Sequence, residues 1–305
     1  MTRPAWSKDS AVLRLSGTVT LDDITPQWAF GGASGKGVRV AVIDSGIDAD
    51  HPLLTDAIDI DAGVAVEIDD DGDVVMQTGA HDDSYGHGTA CAGIIHSIAP
   101  QARLTSVRVL GAGNAGKTAG FLAGLEWAIE QRFDVINLSL GARKPDSALA
   151  FYELCDRAYF SGSFVVTAAN NVAKQSYPSL FASVASVACN TATDPMRFHV
   201  NPDPPTEFLA RGIDIDVAWR GGGYQRATGN SFAAPHISGL AALVKSKHPE
   251  LRPFHIKTVL WACSANVGEA LDPAATAGRL SRQIRMTRAT RATRMAAAVM
   301  RRPTL

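Results

Sequence analysis

The chain has 305 residues, of which 19% are charged and 46% hydrophobic. That balance excludes intrinsic disorder over most of the length and allows a core of good size, in one large domain or two small ones. The net charge of −1 argues against a nucleic-acid partner, although it averages a mildly acidic body with a basic tail, since residues 274–305 contain eight arginines and no acid.

Residues 1–35 are an ill-patterned lead-in, and its start, Met1–Ser10, is polar and is expected to lack the apolar run of a secretory signal. Val38–Ile43 is short, apolar and rich in β-branched residues, which predicts a buried strand. Leu104–Leu110, Asp134–Leu140, Phe164–Ala169 and Val184–Cys189 continue the series. Helices are predicted between and after them, over Lys117–Arg132, Ser147–Phe160, Ser231–Lys247 and Phe254–Cys263. In the first of these, Phe121, Leu122, Leu125, Ala128 and Ile129 recur at helical spacing. Alternation of this kind predicts an α/β fold, a three-layer, doubly wound, mostly parallel sheet with helices on both faces. Function in such sheets gathers at the carboxyl ends of the strands. The body is expected to be one domain over 36–267, followed by a tail over 268–305 in which the strand signal is lost. No apolar run reaches the roughly 18 residues of a membrane span. Cys91, Cys155, Cys189 and Cys263 are scattered without a CxxC pair, so they read as free thiols in a reducing compartment, with the cytoplasm expected.

Three segments place reactive side chains at the ends of such elements. In VAVIDSGI (Val40–Ile47), Asp44 ends the first strand; on its own it is also a plain turn-capping acid. In YGHGTACAG (Tyr85–Gly93), His87 sits between two glycines at the start of a helical run, where a helix-entry histidine would also stand. In GNSFAAPH (Gly229–His236), Ser231 opens a helix, a position that serine also takes as a simple cap.

Together, in the order Asp, His, Ser, these segments resemble the subtilisin family of serine proteases. VRVLGAGNAG, LEWAIEQRFDVINLSLG and TGNSFAAPHISGLAALV extend the likeness from about Gly35 to Ala262. The resemblance implies a serine endopeptidase in which His87 takes a proton from Ser231 and Asp44 holds the imidazole tautomer. Imidazole suits the role because its ordinary pKa of about 6.5 leaves a neutral base near pH 7. It also implies an asparagine donor to the oxyanion. Asn171 of FVVTAANN takes that position, with Asn170 in place of the family's glycine and kept as the alternative. Asn230 and Phe232 flank the nucleophile where the family has Thr and Met, and neither is expected to supply catalytic chemistry. Cys91, near His87, raises the thought of a cysteine nucleophile, but a buried small hydrophobe is the stronger reading.

By the same likeness, an extended peptide or protein substrate would pair with Asn114, Ala115 and Gly116. Ser139, Leu140 and Gly141 would form the other wall and the primary specificity pocket, floored by Tyr177–Ser179, with uncharged side chains weakly favoured. A formal GxGxxG over Gly111–Gly116 follows a strand, but the next strand ends at Leu140 without the acid that a dinucleotide fingerprint needs. A catalytically inactive binding module on the same fold is the other alternative. No cofactor is required. Calcium, which many family members bind, is considered for Asp69–Asp73, but an acidic hairpin turn is the better reading there and no metal ligand is assigned. The lead-in is too short for the family's folding pro-domain and is expected to act as a short inhibitory extension if it covers the cleft. The tail arginines recur every three residues from Arg279 to Arg294, which spreads them around a helix instead of lining one face. They read as a solvated segment, or as one that docks on the acidic body or an anionic partner. A precursor-processing role is favoured over bulk degradation.

Overall fold

The apolar run RVAVID becomes β1 (Arg39–Asp44), buried from its second residue onward. The structure, a computed structural model, describes residues 23–59, 62–172 and 174–267; the basic tail and the first 22 residues lie outside these. β1 is flanked by two parallel neighbours, β4 (Arg103–Arg108) and β5 (Val135–Leu138), with Val40 opposite Leu104 on one side and Val135 on the other. Beyond β4 lies β2 (Val64–Ile68), which pairs parallel to β4 and antiparallel to the edge strand β3 (Val74–Thr78). Beyond β5 come β6 (Phe164–Ala168), β7 (Ala185–Asn190), β9 (Phe208–Arg211) and the antiparallel β8 (His199–Val200). The strand order reverses direction beside β1, so Asp44 stands at the switch point where such sheets open a crevice.

Alternation along the strands assigns side chains to two layers. Val40 and Val42 enter one core, and Ala41 and Ile43 enter the other. The first core is built around α2 (His87–Ile98) and α5 (Asn230–Lys247), with α1 (Pro26–Phe30) and α6 (Pro253–Cys263) packed against α5. The second lies under α3 (Thr118–Glu130) and α4 (Ala148–Ser161), where Phe121, Leu125 and Ile129 meet Phe151 and Cys155. This is the three-layer α/β architecture expected from the sequence. Almost all of α5 is buried, as a central helix covered by a sheet on one side and by helices on the other must be.

The expected strands and helices agree with the structure to within a residue or two at most ends. What the patterning did not reveal are β2, β3, β8 and β9 and the separate hairpin β10 (Ile215–Trp219) with β11 (Gly223–Ala227). β8 has only two residues, β3 is exposed at all five positions and β11 is exposed at four of its five, while the buried apolar part of β2 is only Val64–Val66, too short to stand out. The acidic stretch Asp69–Asp73 turns between β2 and β3, with Asp73 N–H donating to Asp69 Oδ1 and Gly72 N–H to the Asp69 carbonyl.

The described part of the lead-in does not approach the site. Lys247 donates to the carbonyls of Gln27 and Gly31, and the His248 ring stacks on Trp28 with centroids 4.1 Å apart. Residues 25–35 therefore pack at the carboxyl end of α5, about 24 Å along the helix from Ser231. An inhibitory cover by this stretch is corrected by that placement; residues 1–22 lie outside the described residues.

Candidate active site

Three elements converge at the crevice. β1 delivers Asp44 fully buried at its carboxyl end, α2 begins with His87, and Ser231 is the second residue of α5. His87 Nδ1 lies 2.8 and 2.9 Å from the two Asp44 carboxylate oxygens, and His87 Nε2 lies 2.8 Å from Ser231 Oγ. A relay of 43 and 144 residues in sequence is thus closed by hydrogen bonds at both ends of one imidazole.

Glycines make this closure sterically allowed. A Cβ on Gly88 would overlap the carbonyl oxygen of Gly46, and a Cβ on Gly86, at φ +121°, would run into the Trp219 ring. The loop entering α2 is held by Asp83, a buried carboxylate. Its Oδ1 accepts from Ser45 Oγ at 2.7 Å, Tyr85 N–H at 2.9 Å and Gly86 N–H at 2.7 Å. Its Oδ2 accepts from the N–H and the hydroxyl of Thr89. Ser45 Oγ in turn accepts from Gly88 N–H. The histidine is therefore fixed by backbone on both sides. The sequence reading missed Asp83; an acid four residues before a Gly-flanked histidine was the available signal.

Burial of His87 works against its charged form, but the adjoining Asp44 carboxylate outweighs it and holds the imidazole well above its ordinary 6.5. Cys91 lies 3.8 Å from His87 Nδ1 and 3.7 Å from Asp44 Oδ2. Burial pushes its thiol up, so it stands there uncharged. Its Sγ also lies 3.6 Å from the Ser231 carbonyl. Pro235, inside α5, has no N–H for that carbonyl, and the thiol takes the vacant place. Cys91 is thus a small buried donor at the Nδ1 end of the imidazole, away from the Ser231 hydroxyl at Nε2. Phe232 packs on the His87 ring at 4.9 Å between centroids.

Asn171 Oδ1 accepts the Asn230 N–H at 2.8 Å, which leaves the Asn171 amide nitrogen as the free donor beside Ser231. Asn170 uses its side-chain oxygen locally, on Val172 N–H. Of the two, only Asn171 is tied by its side chain to the amino end of α5. Asn230 itself donates to the carbonyls of Ala169 and Asn170, at 3.1 Å each, and accepts from Cys189 N–H at 2.8 Å. It ties the oxyanion loop, β7 and the nucleophile helix together, so the residue read from sequence as chemically idle is a structural clamp.

Ser139, Leu140 and Gly141 share a cavity of about 180 Å³ with Asn171, Ser176 and Ser231. Arg143 also lines it, which corrects the expectation that nothing charged faces this pocket. Of Tyr177–Ser179, none lines the cavity; the preceding Ser176 does. Ala115 and Gly116 line a separate cavity with Glu67 and Arg108. In that loop Asn114 N–H donates to Gly111 O, and Ala115 O accepts from Gly111 N–H, so two groups expected to face a substrate are engaged in the loop's own turn. A larger cavity of about 610 Å³, beside Asp48, His81 and Arg220, does not include Ser231.

Among the described residues, Asp44, His87 and Cys91 are the one group of three metal-capable side chains gathered within reach of an ion. They are the same groups that form the relay, and Asp69–Asp73 do not gather in this way.

Known proteins carry the same pattern. The subtilase family profile matches residues 35–278. Subtilisin E from Bacillus subtilis (strain 168) is 32% identical over 254 residues, covering 78% of this chain and 63% of its own length. Subtilisin from Bacillus pumilus is 32% identical over 255 residues, covering 78% and 88%. Among solved structures, a cold adapted subtilisin-like serine proteinase superposes with a TM-score of 0.61 at 27% identity, over 75% of this chain and 83% of that one. The chain spans just under two thirds of the length of subtilisin E. On the profile match, the relatives and the shared architecture, the chain belongs to the subtilase family.

Proposed function

We propose that this chain is a serine endopeptidase that hydrolyses peptide bonds through an acyl-enzyme on Ser231. The observation that carries the reading is the unbroken hydrogen-bond chain from Asp44 through His87 to Ser231 Oγ. His87 Nε2 accepts the hydroxyl proton as Ser231 Oγ attacks the scissile carbonyl carbon, and the resulting imidazolium is stabilised by Asp44 without transfer of the proton to it. The developing oxyanion is met by the amide nitrogen of Asn171 and by the amino end of α5. His87 then gives its proton to the leaving amine, and water, activated by the same imidazole, releases the acyl group.

The substrate in this reading is an extended peptide or protein segment, supported by the cavity under Ser231. No cofactor enters the mechanism. A reducing, cytoplasmic setting is part of the same proposal, supported by four free thiols. Labelling of the protein by a fluorophosphonate, together with hydrolysis of a denatured protein substrate, tests the reading. Both are expected for the unaltered chain and neither for Ser231→Ala. A folded chain that resists labelling would be a binding module on a protease scaffold.

A further inference from the structure

The cavity beneath Ser231 contains one charged side chain. Arg143 lines it with the hydroxyl-bearing Ser139 and Ser176, and no acid takes part in its lining. Arg143 has no ion pair or hydrogen bond to another described residue, whereas Arg108, Arg157 and Arg226 each have a carboxylate partner.

Its direction follows from the backbone. Ala142 and Tyr177 form an isolated antiparallel bridge, each donating its N–H to the other's carbonyl. Ala142 is buried in the second core, so its chain neighbours point to the opposite face, as alternation along extended backbone requires. The antiparallel register sets Arg143 across from Ser176. Ser176 is itself buried and lines the cavity, so Arg143 and Ser176 lie side by side on one face of the bridge and line the same space. Gly141, one step before the bridge, keeps the wall open, since a Cβ there would meet the Tyr177 carbonyl at 2.9 Å.

We propose that Arg143 is a specificity-determining residue and that the enzyme prefers substrates with an acidic side chain, glutamate above aspartate, at the residue whose carbonyl Ser231 attacks. This rests on the endopeptidase reading above. An unpaired guanidinium presents a fork of N–H donors matched to a carboxylate, and a carboxylate there gains charge-assisted bonds that an isosteric amide does not. The cavity, at about 180 Å³, has room for a glutamate side chain. Because Arg143 is exposed on its outer side, the preference is moderate and weakens as salt screens it.

The test uses the full chain and a set of peptides identical except for Glu, Asp, Gln, Leu or Lys before the scissile bond, with kcat/KM measured for each. The readout is the Glu-to-Gln ratio within each protein. For the unaltered chain it is expected at about tenfold, the value of one charge-assisted hydrogen bond, and it is expected to fall as ionic strength rises. In Arg143→Gln the ratio is expected near one, and in Arg143→Glu the Glu-to-Lys order is expected to invert. A ratio near one in the unaltered chain, or a ratio that persists in both variants, overturns the assignment to Arg143 while leaving the endopeptidase reading intact. Failure to cleave any peptide, with no fluorophosphonate labelling, overturns the endopeptidase reading and the preference with it.

Discussion

The two arms of the site are held in different ways. The His87 arm is buried and organised by charge: Asp44 on the ring, and Asp83 with five hydrogen bonds on the loop that carries it. The Asn171 arm is open to solvent and organised by neutral amides, with Asn230 as its clamp. A general base benefits from low dielectric and fixed geometry. An oxyanion donor must instead stay accessible, because the charge it meets arrives with the substrate. Rigid burial serves the first arm and a polar, satisfied frame serves the second.

Removing one reactive group from each arm is the strongest way to break this comparison. His87→Ala is expected to lower kcat by on the order of 10⁶, since the relay acts as a unit. Asn171→Ala is expected to lower kcat by only about 10²–10³ with little change in KM. Steady-state kinetics on one peptide decides it, and equal losses would refute the division of labour. The frames come next. Asp83→Asn places an amide among five donors and is expected to destabilise the fold by roughly 3 kcal/mol. Asn230→Ala, which strands three hydrogen-bonded groups at a half-open site, is expected to cost about 1–2 kcal/mol. Urea denaturation of both measures the gap.

The pH response sharpens the contrast further. His87 is held above 6.5, so its contribution to stability is complete below pH 6.5 and is lost as pH rises through the raised value. Catalysis runs the other way, because only the neutral ring accepts the Ser231 proton. The acid limb of kcat/KM is therefore expected above pH 6.5, and Asp44→Asn is expected to move it downward while cutting the rate by about 10⁴. The smallest effect is expected for Cys91→Ala. It leaves the Ser231 carbonyl without the thiol, and a severalfold fall in kcat with an unchanged acid limb is the anticipated result.

The sequence revealed the reactive arm more fully than its frame. Asp44, His87 and Ser231 could be located because each sits where a strong apolar period stops or starts and glycines gather. Asp83 fell just outside that signal, and the hydrogen bonds of its carboxylate depend on backbone folding that no spacing encodes. Asn230 was visible as a departure from the family, but its role lies in contacts to residues 41, 60 and 61 positions away. Arg143 was unreadable for a related reason, since only the Ala142–Tyr177 bridge determines which way it faces. The central strands were legible because both of their faces are buried, whereas β11 leaves little apolar pattern to read and the apolar Val74–Met76 of β3 lie exposed at the sheet edge.

The meeting of Gly88 with Gly46 has a consequence for heat. The spacing between acid and base is set in part by main chain resting on main chain, Gly88 against Gly46. Rotamer hopping, the first disorder that warming brings, cannot widen that gap. Alignment of Asp44 with His87 should therefore persist until β1 or α2 comes away, and loss of turnover on heating should track cooperative melting instead of preceding it.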